Sequence, residues 1–321
     1  FSAGWLFPFA AVETAVIVAL VASGLVNYAT EGRQKRYIKN AFQQYLSPAV
    51  IEQLIQHPER LRLGGERREL SIYFSDIQGF TTLSERLSPE ELTAFLNDYL
   101  TAMTEIVQEE GGTVDKYEGD AIIAFWNAPL DVPDHAQRAV RAALRCQQRL
   151  SEMREQFRDR VGTEPFMRIG LNTGPAVVGN MGSRTRFDYT MLGDAVNLAA
   201  RLEGVNKEFG TYTMISEDTK AAIDGAFPCR ELSRIAVVGR HEPVRVYEPW
   251  LPEQYESAKR RLEHFERALG IYYEGRFEEA ERAFREIADE DRTAAIYAER
   301  CRKLAAEPPD SWSGVWTMLT K

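Results

Sequence analysis

The chain opens on an unbroken apolar run and then passes into amphipathic segments of two different periods. Between Trp5 and Tyr28 the only charge is Glu13, and residues 15–26 carry none. About 20 apolar residues cross the roughly 30 Å core of a bilayer. Residues 1–30 therefore read as a transmembrane helix; the alternative is a buried core helix. Trp5, Phe7 and Phe9 suit one interface and Tyr28 the other. The basic cluster EGRQKR at residues 31–36 marks the cytoplasmic side. A signal peptide would carry its charges before the run, not after it. Residues 31–68 read as a helical connector. Ile38, Phe42 and Tyr45 form one stripe, suited to a short coiled coil or to a helix lying on the next domain, and Ser47-Pro48 opens a further helix.

From Leu70 the period drops to two. Leu70, Ile72 and Phe74 alternate with Ser71, Tyr73 and Ser75, a strand pattern. An amphipathic helix follows, with Ser88 as cap, Glu91 three residues on and Gly111-Gly112 as its stop. Residues 113–126 read as a hairpin turning at Glu118-Gly119-Asp120, and residues 134–158 as a long helix. Residues 166–182 read as two strands joined near Thr173-Gly174-Pro175. Another helix covers 193–209, with short strands near 213–215, 235–238 and 244–250. The order strand-helix-strand-strand-helix-strand predicts an α+β, ferredoxin-like sheet with its helices on one face. This domain is placed at 69–250. Residues 251–321 turn helical again, with one clear tetratricopeptide-like (TPR-like) copy and a vague second. Such a segment is a small helical cap on the domain or a partner surface.

Composition narrows the function. The net charge of -9 gives no support to nucleic-acid binding. Cys146, Cys229 and Cys301 are scattered, which argues against a zinc site or a disulfide framework and fits a reducing compartment.

Two carboxylates stand out. Asp76 ends an apolar strand in FSDIQGFT, where it serves either a turn or a metal. Asp120 occupies the hairpin turn, and the sheet pattern can bring the two together. Paired carboxylates are costly without a cation, and an all-oxygen set suits Mg²⁺ or Mn²⁺ bound together with a substrate phosphate. The Gly79-Phe80 turn adds backbone N–H groups at a helix start, an anion site. Asn197 and Arg201, at i and i+4, share one helix face, suited to a ribose and a developing negative charge.

FSDIQGFT, DKYEGDAIIAFW, GLNTGPAVVGNMGS and YTMLGDAVNLAARLE, in this order, strongly resemble the class III nucleotidyl cyclase catalytic domain. The resemblance implies an adenylate cyclase forming 3′,5′-cyclic AMP and pyrophosphate from ATP with two divalent cations. Asp76, Asp120 and the Ile77 carbonyl match the metal site. Gly79, Phe80 and Thr81 match the phosphate-holding backbone, Asn197 the ribose-orienting residue and Arg201 the residue facing the α-phosphate. Lys116 matches the base-reading position; a lysine only donates, which suits adenine N1 and mismatches guanine N1–H. The usual aspartate partner is replaced by Thr190, a Lys/Thr pair resembling the subclass that responds to bicarbonate. A phosphate-binding lysine is also missing, and Arg240 stands nearby in its place. In this family the sites are shared head to tail, so the resemblance implies a homodimer. The tail resembles those of bacterial membrane cyclases with an upstream CHASE-like sensor, which places the catalytic domain on the cytoplasmic side of the inner membrane. The alternatives are a guanylate cyclase or a nucleotide-binding module without catalysis.

Overall fold

The computed structural model describes residues 12–16, 19, 23, 64–183, 186–236 and 242–317. The chain divides into two units, Phe1–Arg60 and Leu61–Lys321. In the first, residues 12–16 are helical and exposed. Among the described residues no helix is long and apolar enough to cross a membrane. Most of the expected span, the connector at 31–63 and Arg240 lie outside the described residues.

The second unit is built on one mixed sheet. Its strands are β1 (Gly64–Ile77), β2 (Thr113–Glu118), β3 (Ala121–Trp126), β4 (Met167–Gly182), β5 (Phe187–Leu192), β6 (Thr213–Ser216), β7 (Cys229–Ala236), β8 (Val244–Pro249) and β9 (Val315–Thr317). They run β2-β3-β1-β4-β6-β8-β7-β9, with β5 paired to β4 alone. The helices are α1 (Phe80–Ser84), α2 (Pro89–Glu109), α3 (His135–Val161), α4 (Asp194–Phe209), α5 (Glu217–Ala222), α6 (Pro252–Tyr273), α7 (Phe277–Arg285) and α8 (Arg292–Ala306).

The expected capping box forms. Ser88 accepts from the Glu91 amide while the Glu91 carboxylate accepts from the Ser88 amide, so two orphan donors of α2 are satisfied at once. The Gly119-Asp120 turn joins β2 to β3 as expected.

Two expectations change. First, Thr173-Gly174-Pro175 is not a turn but the middle of a 16-residue strand, β4. β1 pairs with it in continuous register from Gly64↔Asn180 to Ile77↔Met167 and holds it straight. Pro175 falls after the β6 pairing (Ile169–Leu171) and before the β5 pairing (Val177–Gly182). No ladder on that edge needs its missing N–H. Second, helices cover both sheet faces. β1 is apolar on both sides: Tyr73 and Ile77 join the core under α2 and α3, while Leu70 and Ile72 join Ala195 and Ala199 of α4.

The helical tail shares a core with the sheet. Phe265, Tyr272, Phe284 and Tyr297 bury against Leu232 of β7 and Phe209 of α4. The Tyr297 hydroxyl donates to the Leu232 carbonyl at 2.6 Å. Beyond α8, β9 adds a parallel edge strand to β7. Arg230 of β7 ion-pairs with Glu248 of β8 and with Asp291, which caps α8; the Arg230 and Asp291 side chains are each 5% exposed.

Candidate active site

Asp76 lies at the C-terminal end of β1, opposite Arg168 of β4. Arg168 Nη2 donates to Asp76 Oδ2 at 3.2 Å, and Arg168 Nε lies 3.0 Å from Glu203 Oε1 on α4. The Ile77 amide donates to Asp120 Oδ2 at 2.8 Å, which ties the hairpin turn to the end of β1. The structure thus brings Asp76, Ile77 and Asp120 together. Burial pushes the Asp120 carboxyl up to about 6; the Ile77 N–H opposes this and the Asp76 charge adds to it. Burial likewise pushes Glu203 up to about 7, against the pull of Arg168. Asp76 and Glu203 share the Arg168 guanidinium, while Asp120 has the Ile77 amide as its partner.

Among the described residues no group of three or more His, Cys, Asp or Glu is arranged to hold a metal. The available set is two carboxylates and the Ile77 carbonyl. These are hard oxygen donors, too few for a closed cage and suited to Mg²⁺ or Mn²⁺ completed by substrate phosphates and water. The residues fit such an ion.

Gly79 follows with φ 74°, a left-handed conformation that opens α1. A Cβ there would touch nothing within 4 Å. The need for glycine is therefore backbone conformation and not space. Phe80 and Thr81 begin α1, where helix amides precede their first intrahelical acceptors.

Lys116 and Thr190 come together through a residue that the sequence reading missed. β2 carries a bulge: Val114 pairs Ala124 and Lys116 pairs Ile123, leaving Asp115 as the extra residue. A bulge re-aims the side chains beside it. Asp115 Oδ2 accepts from the Thr190 hydroxyl at 2.6 Å, and its Oδ1 lies 3.7 Å from Lys116 Nζ. Burial pushes the Asp115 carboxyl up, while Thr190 and Lys116 pull it back. Lys116 pairs across from Ile123, whose side chain packs in the α4-side core, so Lys116 points to that same face. Its signal in the sequence was a carboxylate next to the lysine inside an alternating strand.

Asn197 is exposed and Arg201 half-buried on α4, one turn apart as the spacing required. This helix is seated directly on β4. Asn206 Nδ2 donates to the Ile169 carbonyl at 2.9 Å and Asn172 Nδ2 to the Ala195 carbonyl at 2.9 Å. Between them Gly170 lets the helix backbone touch the strand. A Cβ there would fall 2.2 Å from Glu203 N and 2.4 Å from the Ala199 carbonyl oxygen. Arg168 and Glu203 were also missed by the sequence reading; the charged Arg168 inside apolar MRIGL was the available cue. Among the described residues no hydrogen bond or ion pair joins the Asp76–Asp120 group to Lys116 or Thr190.

The site thus gathers a carboxylate pair at the end of β1 and a Lys116–Asp115–Thr190 cluster on a mixed sheet covered on both faces. The match is specific: residues 65–248 correspond to the adenylate and guanylate cyclase catalytic domain, and the chain belongs to that family. Adenylate cyclase 1 of Rhizobium meliloti (strain 1021) is 39% identical over 182 residues, covering 57% of this chain and 27% of that protein. The adenylate cyclase of Anabaena cylindrica is 33% identical over 222 residues, covering 67% of this chain and 42% of that protein. The chain thus spans between about a quarter and a half of these relatives' length. Among solved structures, the adenylyl cyclase CyaB from P. aeruginosa is similar at 37% identity with a TM-score of 0.55, covering 59% of this chain and 97% of that one.

Proposed function

We propose that residues 64–250 form an adenylate cyclase domain that converts ATP to 3′,5′-cyclic AMP and pyrophosphate. The observation that carries this reading is the Asp76–Asp120 pair. Burial, with the Asp76 charge adding to it, pushes the Asp120 carboxyl up to about 6, and the pair lies close to the left-handed Gly79 turn. Two divalent cations bound there would neutralise the triphosphate and acidify the ribose 3′-hydroxyl for in-line attack on the α-phosphorus. Asp76, Asp120 and the Ile77 carbonyl would hold them. The Gly79–Thr81 backbone takes the terminal phosphates, with Arg240 as a further phosphate ligand. Asn197 orients the ribose, and Arg201 meets the charge that develops on the α-phosphate. The ribose proton leaves to water or to substrate.

Lys116 selects adenine over guanine because an ammonium has no acceptor for guanine N1–H. In this reading two copies assemble head to tail, the carboxylate pair of one facing Lys116, Thr190, Asn197 and Arg201 of the other. The charge-free run at 15–26 and the basic cluster after it support a membrane anchor, which makes the cyclase the output domain of a membrane signalling receptor. The Lys116/Thr190 pair supports bicarbonate as an activator; no stimulation at fixed pH would remove that assignment. The enzymatic test is cyclic product from ATP and, separately, from GTP, in Mg²⁺ and in Mn²⁺. Cyclic AMP from ATP that is lost in Asp76→Ala is expected. Cyclic GMP as the main product would overturn the assignment.

A further inference from the structure

A carboxylate to which the family resemblance assigned no role is buried between the two base-reading side chains. The Asp115 side chain is 3% exposed. Oδ2 accepts a hydrogen bond from the Thr190 hydroxyl at 2.6 Å. Oδ1 is buried with no hydrogen-bond partner among the described residues and lies 3.7 Å from Lys116 Nζ, too far for a hydrogen bond. The β2 bulge at this residue is what puts Asp115 next to both.

A threonine hydroxyl is ambiguous as a reader of bases. It has one proton to give and two lone pairs to offer, and it rotates to suit its neighbour. Left alone, Thr190 would accept from the 6-amino group of adenine or donate to the 6-oxo group of guanine with equal ease. An ionised carboxylate only accepts. Asp115 therefore engages the single Thr190 O–H in a hydrogen bond and leaves only lone pairs on the side that faces a base. Lys116 next to it is a pure donor. The pair then reads acceptor-plus-donor, which complements an amino group at C6 and a bare N1. Guanine mismatches at both points.

We propose that Asp115 is a positioning residue that fixes the Thr190 hydroxyl as an acceptor, and so makes the site selective for 6-aminopurine nucleotides. The inference rests on the reading of Lys116 and Thr190 as the base-contacting pair. Asp115 itself touches no substrate in this account; it acts through Thr190.

The test uses the full chain and two nucleotides, ATP and purine riboside 5′-triphosphate, which keeps the bare N1 but lacks the 6-amino group. Asp115→Asn conserves volume but offers an amide that can donate to Thr190 and free its proton. The expected result is a fall of about tenfold in kcat/KM for ATP, the upper range for one neutral hydrogen bond, that of Thr190 to the 6-amino group. For purine riboside triphosphate a change of less than about twofold is expected, since it has no 6-amino contact to lose. Thr190→Val should give the same drop in the ratio of the two substrates, and the double variant no further drop. Calorimetric binding of the two nucleotides reads the same ratio independently of turnover. Equal losses for both nucleotides would make Asp115 merely structural and overturn the proposal, as would an unchanged ratio. Wild-type protein that prefers GTP would overturn the adenine assignment first, and this inference with it.

Discussion

Gly170→Ala is expected to damage catalysis through a residue that touches no substrate. The added Cβ would lie 2.2 Å from Glu203 N, 2.4 Å from the Ala199 carbonyl oxygen and 2.8 Å from the Leu202 carbonyl carbon. All three are helix backbone, so no side chain can swing away. Ordinary contact begins at 3.4 Å, and 3.4 − 2.2 leaves 1.2 Å to be found by moving α4 off β4. Overpacking of this kind costs about 1–3 kcal/mol. The displaced helix carries Asn197 and Arg201. A misplacement of about 1 Å lowers turnover on the order of 100-fold. The assay pairs urea denaturation with cyclase turnover. Gly204→Ala is the control: the same helix, the same substitution, and nothing within 4 Å of the new Cβ. It should keep turnover and gain about 0.5–1 kcal/mol from helix propensity. A Gly170→Ala protein with wild-type denaturation midpoint and wild-type turnover would refute the reasoning.

Asp120→Asn should abolish activity yet stabilise the metal-free protein at pH 8. A folded carboxyl pushed up from 3.8 to about 6 opposes folding by about 3 kcal/mol once fully ionised. The sign follows from proton binding. Between about pH 4 and 6 the folded state holds the extra proton, so wild-type stability falls as pH rises through that window and then levels off, whereas the Asn variant lacks this slope. Denaturation midpoints across pH, in EDTA, measure it. Asp291→Ala should destabilise by about 3 kcal/mol, since it strips the buried Arg230 of one partner and α8 of its cap, while Glu248 still shields the guanidinium. Urea titration checks it, and a loss below about 1 kcal/mol would show that the tail is only loosely joined to the sheet.

Apart from the approach of Asp120 to Asp76, what the sequence made legible was local. The Ser88–Glu91 box, the Gly119-Asp120 turn and the i, i+4 spacing of Asn197 and Arg201 each lie within a few residues, and the structure holds each of them. What stayed hidden depends on partners far along the chain. Gly174-Pro175 has turn chemistry, but β1, about a hundred residues earlier, pairs across it and overrides that preference. Apolar residues on both faces of β1 had no assigned partner until α4 was placed over the second face. The Asp115 bulge breaks the two-residue alternation without any glycine to announce it. The tail's aromatic rhythm left open a helical cap on the domain or a partner surface. In three dimensions Tyr297, Phe265 and Trp316 close a core with Phe209 of the helix that bears Asn197 and Arg201.

The central claim is an ATP-cyclising site assembled from two copies of this chain. Mixing two inactive variants tests it most directly. Asp120→Ala removes a carboxylate from one half-site and Arg201→Ala the guanidinium from the other. Each alone should make no cyclic AMP from ATP. Mixed in equal amounts, half the dimers are mixed, each with one intact site, so about a quarter of wild-type activity should return. A mixture as inactive as its components, in mixed dimers shown to form, would contradict the shared site.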